Sequence, residues 1–152
     1  MNQQAAQNYL RTKVLTATPE QLQLMLYDGA IRFAEQGKAA LVKKDWEASY
    51  KALTQAQKIL ADLNAKLKHD IYPELCGKLA SLYNYAYRQL VQANVHHHTE
   101  PVDEALKVLR FQRETWSMLL DQLGKARAAE AVRKMDVPSP DERMETSICM
   151  QG

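Results

Sequence analysis

Three adjacent imidazoles, His96-His97-His98, are the best metal-ligand candidates in this chain. Neighbouring side chains do not converge easily on one ion, and no Cys or acidic partner stands at metal-site spacing. The run reads as a solvated loop between helices, and no metal centre is expected. Two acidic pairs, Asp45 with Glu47 and Asp103 with Glu104, could in principle serve as acid and base. Each opens a helix, where the dipole favours negative charge, and that explains both. The glycines Gly29, Gly37, Gly77, Gly124 and Gly152 are scattered, so they form no phosphate-binding loop. No Glu-x-x-His pair of the di-iron bundles and no nucleophile elbow occurs. Cys76 and Cys149 are far apart and read as reduced thiols of a cytoplasmic protein. No catalytic residue, metal or cofactor follows from these residues. They point to a binding protein rather than an enzyme.

The elements that carry these residues are long. The 152 residues are 46% hydrophobic and 25% charged, the balance of one globular domain. A formal charge of +2 gives no electrostatic case for nucleic acid. No apolar run approaches the roughly 18 to 20 residues of a membrane span. The start, MNQQAAQNYLRTK, lacks the pattern of a secretory signal.

Thr18-Pro19-Glu20-Gln21 predicts a helix start, with Thr18 as cap, Pro19 at the first position and Gln21 reaching back. An apolar stripe follows at Leu22, Met25, Leu26, Gly29, Phe33 and Ala40. Gly29 suggests close approach of a second helix. Asp45 caps that second helix, whose stripe is Trp46, Tyr50, Leu53, Leu60, Leu63 and Leu67. Pro73 opens a third, with Leu75, Leu79, Leu82, Ala86, Leu90 and Ala93. Thr99-Glu100-Pro101 opens a fourth, with Val102, Leu106, Leu109, Trp116, Leu120 and Leu123, and Gly124 as its C-terminal cap. Long helices joined by short loops predict an all-α protein, an antiparallel four-helix bundle over residues 18–124. Residues 1–17 form an N-terminal arm with apolar anchors at Tyr9, Leu10, Val14 and Leu15. Residues 125–152 form a tail, helical at first and then flexible from Asp136 on.

The apolar content exceeds what one stripe per helix needs. The third helix has a second stripe at Cys76, Ala80, Tyr83, Tyr87 and Val91. The fourth has Val108, Phe111, Thr115 and Met118, and Ile59 lies beside the main stripe of the second. Left facing water, such a set marks an interaction surface. Tyr83 and Tyr87 suit a surface covered part of the time, whereas Tyr85 falls on a polar face.

Tyr9, Val14, Thr16-Ala17-Thr18-Pro19-Glu20-Gln21-Leu22 and Met25-Leu26-Tyr27-Asp28-Gly29-Ala30-Ile31 stand in a familiar order. Leu53, Ala56-Gln57-Lys58-Ile59-Leu60 and Leu63 continue it, then Leu79, Leu82-Tyr83, Tyr85, Leu90 and Gln92-Ala93-Asn94. In this order and spacing, over roughly residues 8–123, the chain resembles the FliS family of flagellar export chaperones. Two features depart from the family pattern. Ile71-Tyr72-Pro73-Glu74-Leu75 replaces a Gly-rich turn, and the tail after Gly124 is long.

The resemblance implies a cytoplasmic, non-catalytic protein that binds the disordered C-terminal segment of flagellin. It implies that this prevents premature polymerisation and keeps the subunit competent for flagellar type III secretion. It also implies that the arm around Tyr9 occupies part of the client groove. The expected client-binding residues are Tyr9, Leu10, Ile59, Tyr83, Tyr87, Val91, Val108, Phe111 and Met118. A monomer or weak dimer is expected, with other flagellar export or regulatory proteins as candidate second partners. The alternative is a homo-oligomeric structural bundle, or an adaptor without a flagellin client, whose second stripes meet a copy of themselves.

Overall fold

The computed structural model describes residues 2–136. It contains α1 (Asn2–Thr16), α2 (Pro19–Val42), α3 (Trp46–Ala65), α4 (Pro73–His96) and α5 (Glu100–Asp136), and no strand among the described residues. The α2 start is a full capping box. The Gln21 amide N–H donates to Thr18 Oγ1 at 3.2 Å, and the Thr18 N–H donates to Gln21 Oε1 at 3.0 Å, with Pro19 at the first turn. Asp45 caps α3 by accepting from the Ala48 N–H at 3.1 Å. The arm forms a helix, α1, rich in good helix formers and free of Gly and Pro, yet none of its residues is buried.

Two compact units divide the chain, Met1–Trp116 and Ser117–Gly152. In the first, side-chain pairs fix the helix directions. Lys38 Nζ meets Asp103 Oδ1 at 2.7 Å, Arg110 pairs with Glu35, and Arg113 Nε donates to Asp28 Oδ1 at 2.8 Å. Partner numbers fall along α2 as they rise along α5, so these helices run antiparallel. The bonds Asn94 to Gln57 (3.1 Å) and Asn64 to Asn84 (3.3 Å) make α3 and α4 antiparallel by the same logic. Gly37 lies against Leu53 and Gly29 against Ile59, which sets α2 against α3. The second unit contains the rest of α5, where Leu120 and Leu123 are half-buried and Glu130 pairs with Lys134. Gly124 does not cap a helix, because α5 runs through it to Asp136. The flexible tail expected beyond it, and Cys149, fall outside the described residues.

On α5 the expected stripe residues Val102, Leu106 and Leu109 are buried, but on α2, and in part on α3 and α4, the inward faces differ from those that the largest apolar side chains suggest. On α2 the buried residues are Tyr27, Gly29, Ala30, Ala34, Gly37, Ala40 and Leu41; Gly29 and Ala40 of the expected stripe are thus buried, whereas Leu22, Met25, Leu26 and Phe33 are only half-buried. On α3, Trp46 and Tyr50 are exposed, and Ser49 and Ala56 share the core with Leu53, Leu60 and Leu63. On α4, Leu75 and Leu82 face outward, and Cys76 and Tyr83, expected on the second stripe, take the core positions expected of those leucines. The reason is close packing. A seam stepping three and four residues needs small side chains where backbones approach, and bulk is then left outside. A Cβ at Gly37 would stand 2.5 Å from Leu53 Cδ2, so Gly37, not Gly29, is the close-approach glycine.

Candidate functional site

The large side chains left off the α2 seam line a cleft. Leu22, Met25, Leu26, Gly29 and Phe33 of α2 and Ile59 of α3 form its apolar wall, and Leu10 and Val14 of α1 face it. Its volume is about 440 Å³. Helix α1 therefore lies over the cleft without filling it, with Leu10 50% and Val14 41% exposed. Lys13, Arg32 and Lys66 also line it, as does Asp28, whose carboxylate is held by Arg113. The Arg32 guanidinium lies 5.3 Å from the Phe33 ring centroid. Gly29 belongs to this wall, where a Cβ would meet Ile59 Cδ1 at an ordinary 3.4 Å.

A second cleft of about 420 Å³ flanks the other side of α3. Tyr50, Thr54, Gln57, Lys58 and Ala61 line it with Tyr87, Val91, Asn94 and Val95 of α4. Both clefts combine an apolar wall with a few polar groups, a surface suited to a helix or extended segment with an apolar stripe. Among the described residues no three or more His, Cys, Asp or Glu side chains cluster to hold a metal. The imidazole run has a structural use. His97 ends α4 in a left-handed conformation, φ 56°, and its ring stacks on Trp46 with centroids 4.1 Å apart. Among the described residues no helix is long and apolar enough to cross a membrane.

A family model described as Flagellar protein FliS matches residues 1–123. The chain belongs to the FliS family. It is 34% identical over 119 residues to the flagellar secretion chaperone FliS of Bacillus subtilis (strain 168), covering 78% of this chain and 88% of that one. It is 31% identical over 115 residues to the flagellar secretion chaperone FliS of Salmonella typhimurium (strain LT2), covering 75% of this chain and 85% of that one. The fold is also that of a solved bacterial flagellar chaperone, with a TM-score of 0.64 at 20% identity over 80% of this chain and 99% of the other.

In this FliS chain the residues expected at a client surface separate into groups. Leu10 and Ile59 meet at the first cleft, and Tyr87 and Val91 line the second. Tyr9 is 71% exposed on α1. Val108 is half-buried against the core and Phe111 is 66% exposed, both on α5 and in neither cleft. Met118 is exposed in the second unit. Tyr83 is corrected to the core. Its hydroxyl shares a short hydrogen bond with that of Tyr27, which also accepts from Gln23 Nε2 at 3.4 Å. Burial first, and then the bond to Tyr27, raises the Tyr83 phenol well above its ordinary value. Tyr85 is half-buried and donates to Glu104 Oε2 at 3.3 Å.

Sequence reasoning placed Leu22, Met25, Leu26 and Phe33 on the inward stripe; Leu26 and Phe33 do pack against the core, but all four also wall the cleft, and that use was missed. The signal was present. Tyr27, Ala30, Ala34, Gly37 and Leu41 repeat at three- and four-residue steps as cleanly as the larger set, and two full stripes on one helix mean one faces outward.

Proposed function

We propose that this chain is a flagellar export chaperone that holds the disordered C-terminal segment of flagellin in the cytoplasm. Holding it prevents premature polymerisation and keeps the subunit competent for flagellar type III secretion. The observation that carries the reading is the apolar cleft between an unburied helix α1 and the α2–α3 pair, in a member of the FliS family. The relatives named as flagellar secretion chaperones support it. A disordered client gains helical structure against such a surface, and the apolar area it buries offsets the cost of ordering it. The client replaces α1 at the first cleft and continues to the second, where Tyr87 and Val91 receive it. Tyr9 and Leu10 leave with the arm. Val108, Phe111 and Met118 are further contacts on α5. Tyr83 acts beneath the surface, as core. The role is one of binding, not catalysis.

Calorimetric titration with a flagellin C-terminal peptide tests this. Saturation at one peptide per chain is expected. Phe33→Glu and Ile59→Glu, checked for folding by their melting curves because both side chains also pack against the core, should each weaken binding at least about tenfold, roughly 1.4 kcal/mol, since the client strips the remaining water from an acid set in the apolar wall. Absence of binding by the unaltered protein, or full binding by folded variants, would overturn the reading. A chain that runs as a stable oligomer at dilute concentration would favour the structural bundle instead.

A further inference from the structure

We propose that the first cleft selects a helical segment carrying side-chain carboxylates beside its apolar stripe, and that α1 is a placeholder of the wrong charge. The inference rests on the reading of this cleft as a client site and adds the chemistry of the client. Apart from Lys13 of α1 itself, the cations lining the cleft are Arg32 of α2 and Lys66 at the end of α3, and neither pairs with a carboxylate among the described residues. The acid in the same lining, Asp28, is already held by Arg113 at 2.8 Å. The apolar wall is thus bordered by cations without counter-charges. Such a border favours acidic partners and disfavours basic ones.

Helix α1 is poorly matched to that border. Its sequence, NQQAAQNYLRTKVLT, contains no Asp or Glu and adds Arg11 and Lys13. Lys13 shares the cleft lining with Arg32 and Lys66, and the acid in that lining, Asp28, is already held by Arg113, so the arm adds positive charge to a positive border. Leu10 and Val14 meet the apolar wall at a one-turn spacing, so the arm fits by shape while its charge opposes tight closure. That agrees with an arm in which no residue is buried and which leaves about 440 Å³ unfilled. A client with carboxylates at the same border gains what α1 lacks, and so displaces it without needing a larger apolar stripe.

The test uses two synthetic peptides and the full chain. One peptide has the sequence of residues 2–16, and the other is the same with Lys13→Glu. Fluorescence anisotropy at low salt should show the acidic peptide binding at least about threefold more tightly, the scale of one or two partly exposed ion pairs. The advantage should shrink as salt shortens the reach of charge. It should vanish in the Arg32→Glu, Lys66→Glu double variant, checked for folding by its melting curve. Equal or weaker binding of the acidic peptide overturns the proposal. So does an advantage that survives the double variant, or the failure of both peptides to bind. Charge-selective binding here, together with no binding of the flagellin peptide, would sustain this inference and sink the choice of client.

Discussion

The Tyr83 phenol sits 2% exposed, where water cannot solvate its anion. Unfolded, it loses its proton near the ordinary value of 10.0; folded, burial and the Tyr27 bond keep the proton to much higher pH. A folded value raised above the unfolded one gives stability that is complete below pH 10 and lost as pH rises beyond it. Urea denaturation at pH 8 and pH 10.5 should therefore show a fall in stability that Tyr83→Phe partly removes. At pH 8 the same substitution should cost about 1 kcal/mol, one hydrogen bond whose partner keeps Gln23. The two glycines of α2 make a second residue-scale contrast. Gly37→Ala drives a methyl into Leu53, itself fully buried, and should cost about 1 to 3 kcal/mol despite the better helix propensity of Ala. Gly29→Ala meets only ordinary contact and should gain up to about 1 kcal/mol. Melting curves recorded side by side decide this, and equal shifts would remove the distinction between seam and cleft.

Each helix divides its bulk between core and surface, and substitutions read that division. Leu53→Ala empties a fully buried position and should cost about 2 to 5 kcal/mol. Leu82→Ala, at a side chain 37% exposed, should cost nearer 1 kcal/mol, close to the loss of the Thr18 cap in Thr18→Ala. Chemical denaturation that ranked Leu82→Ala with Leu53→Ala would return Leu82 to the core. Helix starts were legible in the sequence because their signals act locally: Thr18, Gln21 and Asp45 through hydrogen bonds within one turn, and Pro19 and Pro73 through a fixed φ that suits the first turn. The all-α class followed from the same punctuation. Which stripe faces inward was less legible, because it depends on how near the next backbone comes. Ala30, Ala34 and Gly37 carry little hydrophobicity, yet they permit that approach. The α2 residues of the first cleft were therefore sorted with the core, and Tyr83 with the surface, whereas Leu10 and Ile59 were placed at the client surface from the start. Gly124 misled for a related reason: a glycine can end a helix but need not, and α5 passes through it.

Over the first unit as a whole, α1 stands apart from the other helices, since it contributes no buried residue. Deleting residues 1–15 should lower the helical signal by that segment's share. The melting midpoint should move less than it does for Leu53→Ala, because the shared core stays intact. Association with a flagellin peptide should quicken if the arm only competes. Unchanged association kinetics would take the arm out of the mechanism. The chain's two tryptophans lie in different surroundings. Trp46 stacks on His97 beside the loop that ends α4. Trp116 donates from Nε1 to the Glu20 carbonyl at 2.8 Å, in the first turn after the α1–α2 junction. The protein thus carries two native optical reporters. Departure of the arm should alter the emission of Trp116 and leave that of Trp46 constant, so each single-tryptophan version would watch one end of the bundle without any added dye.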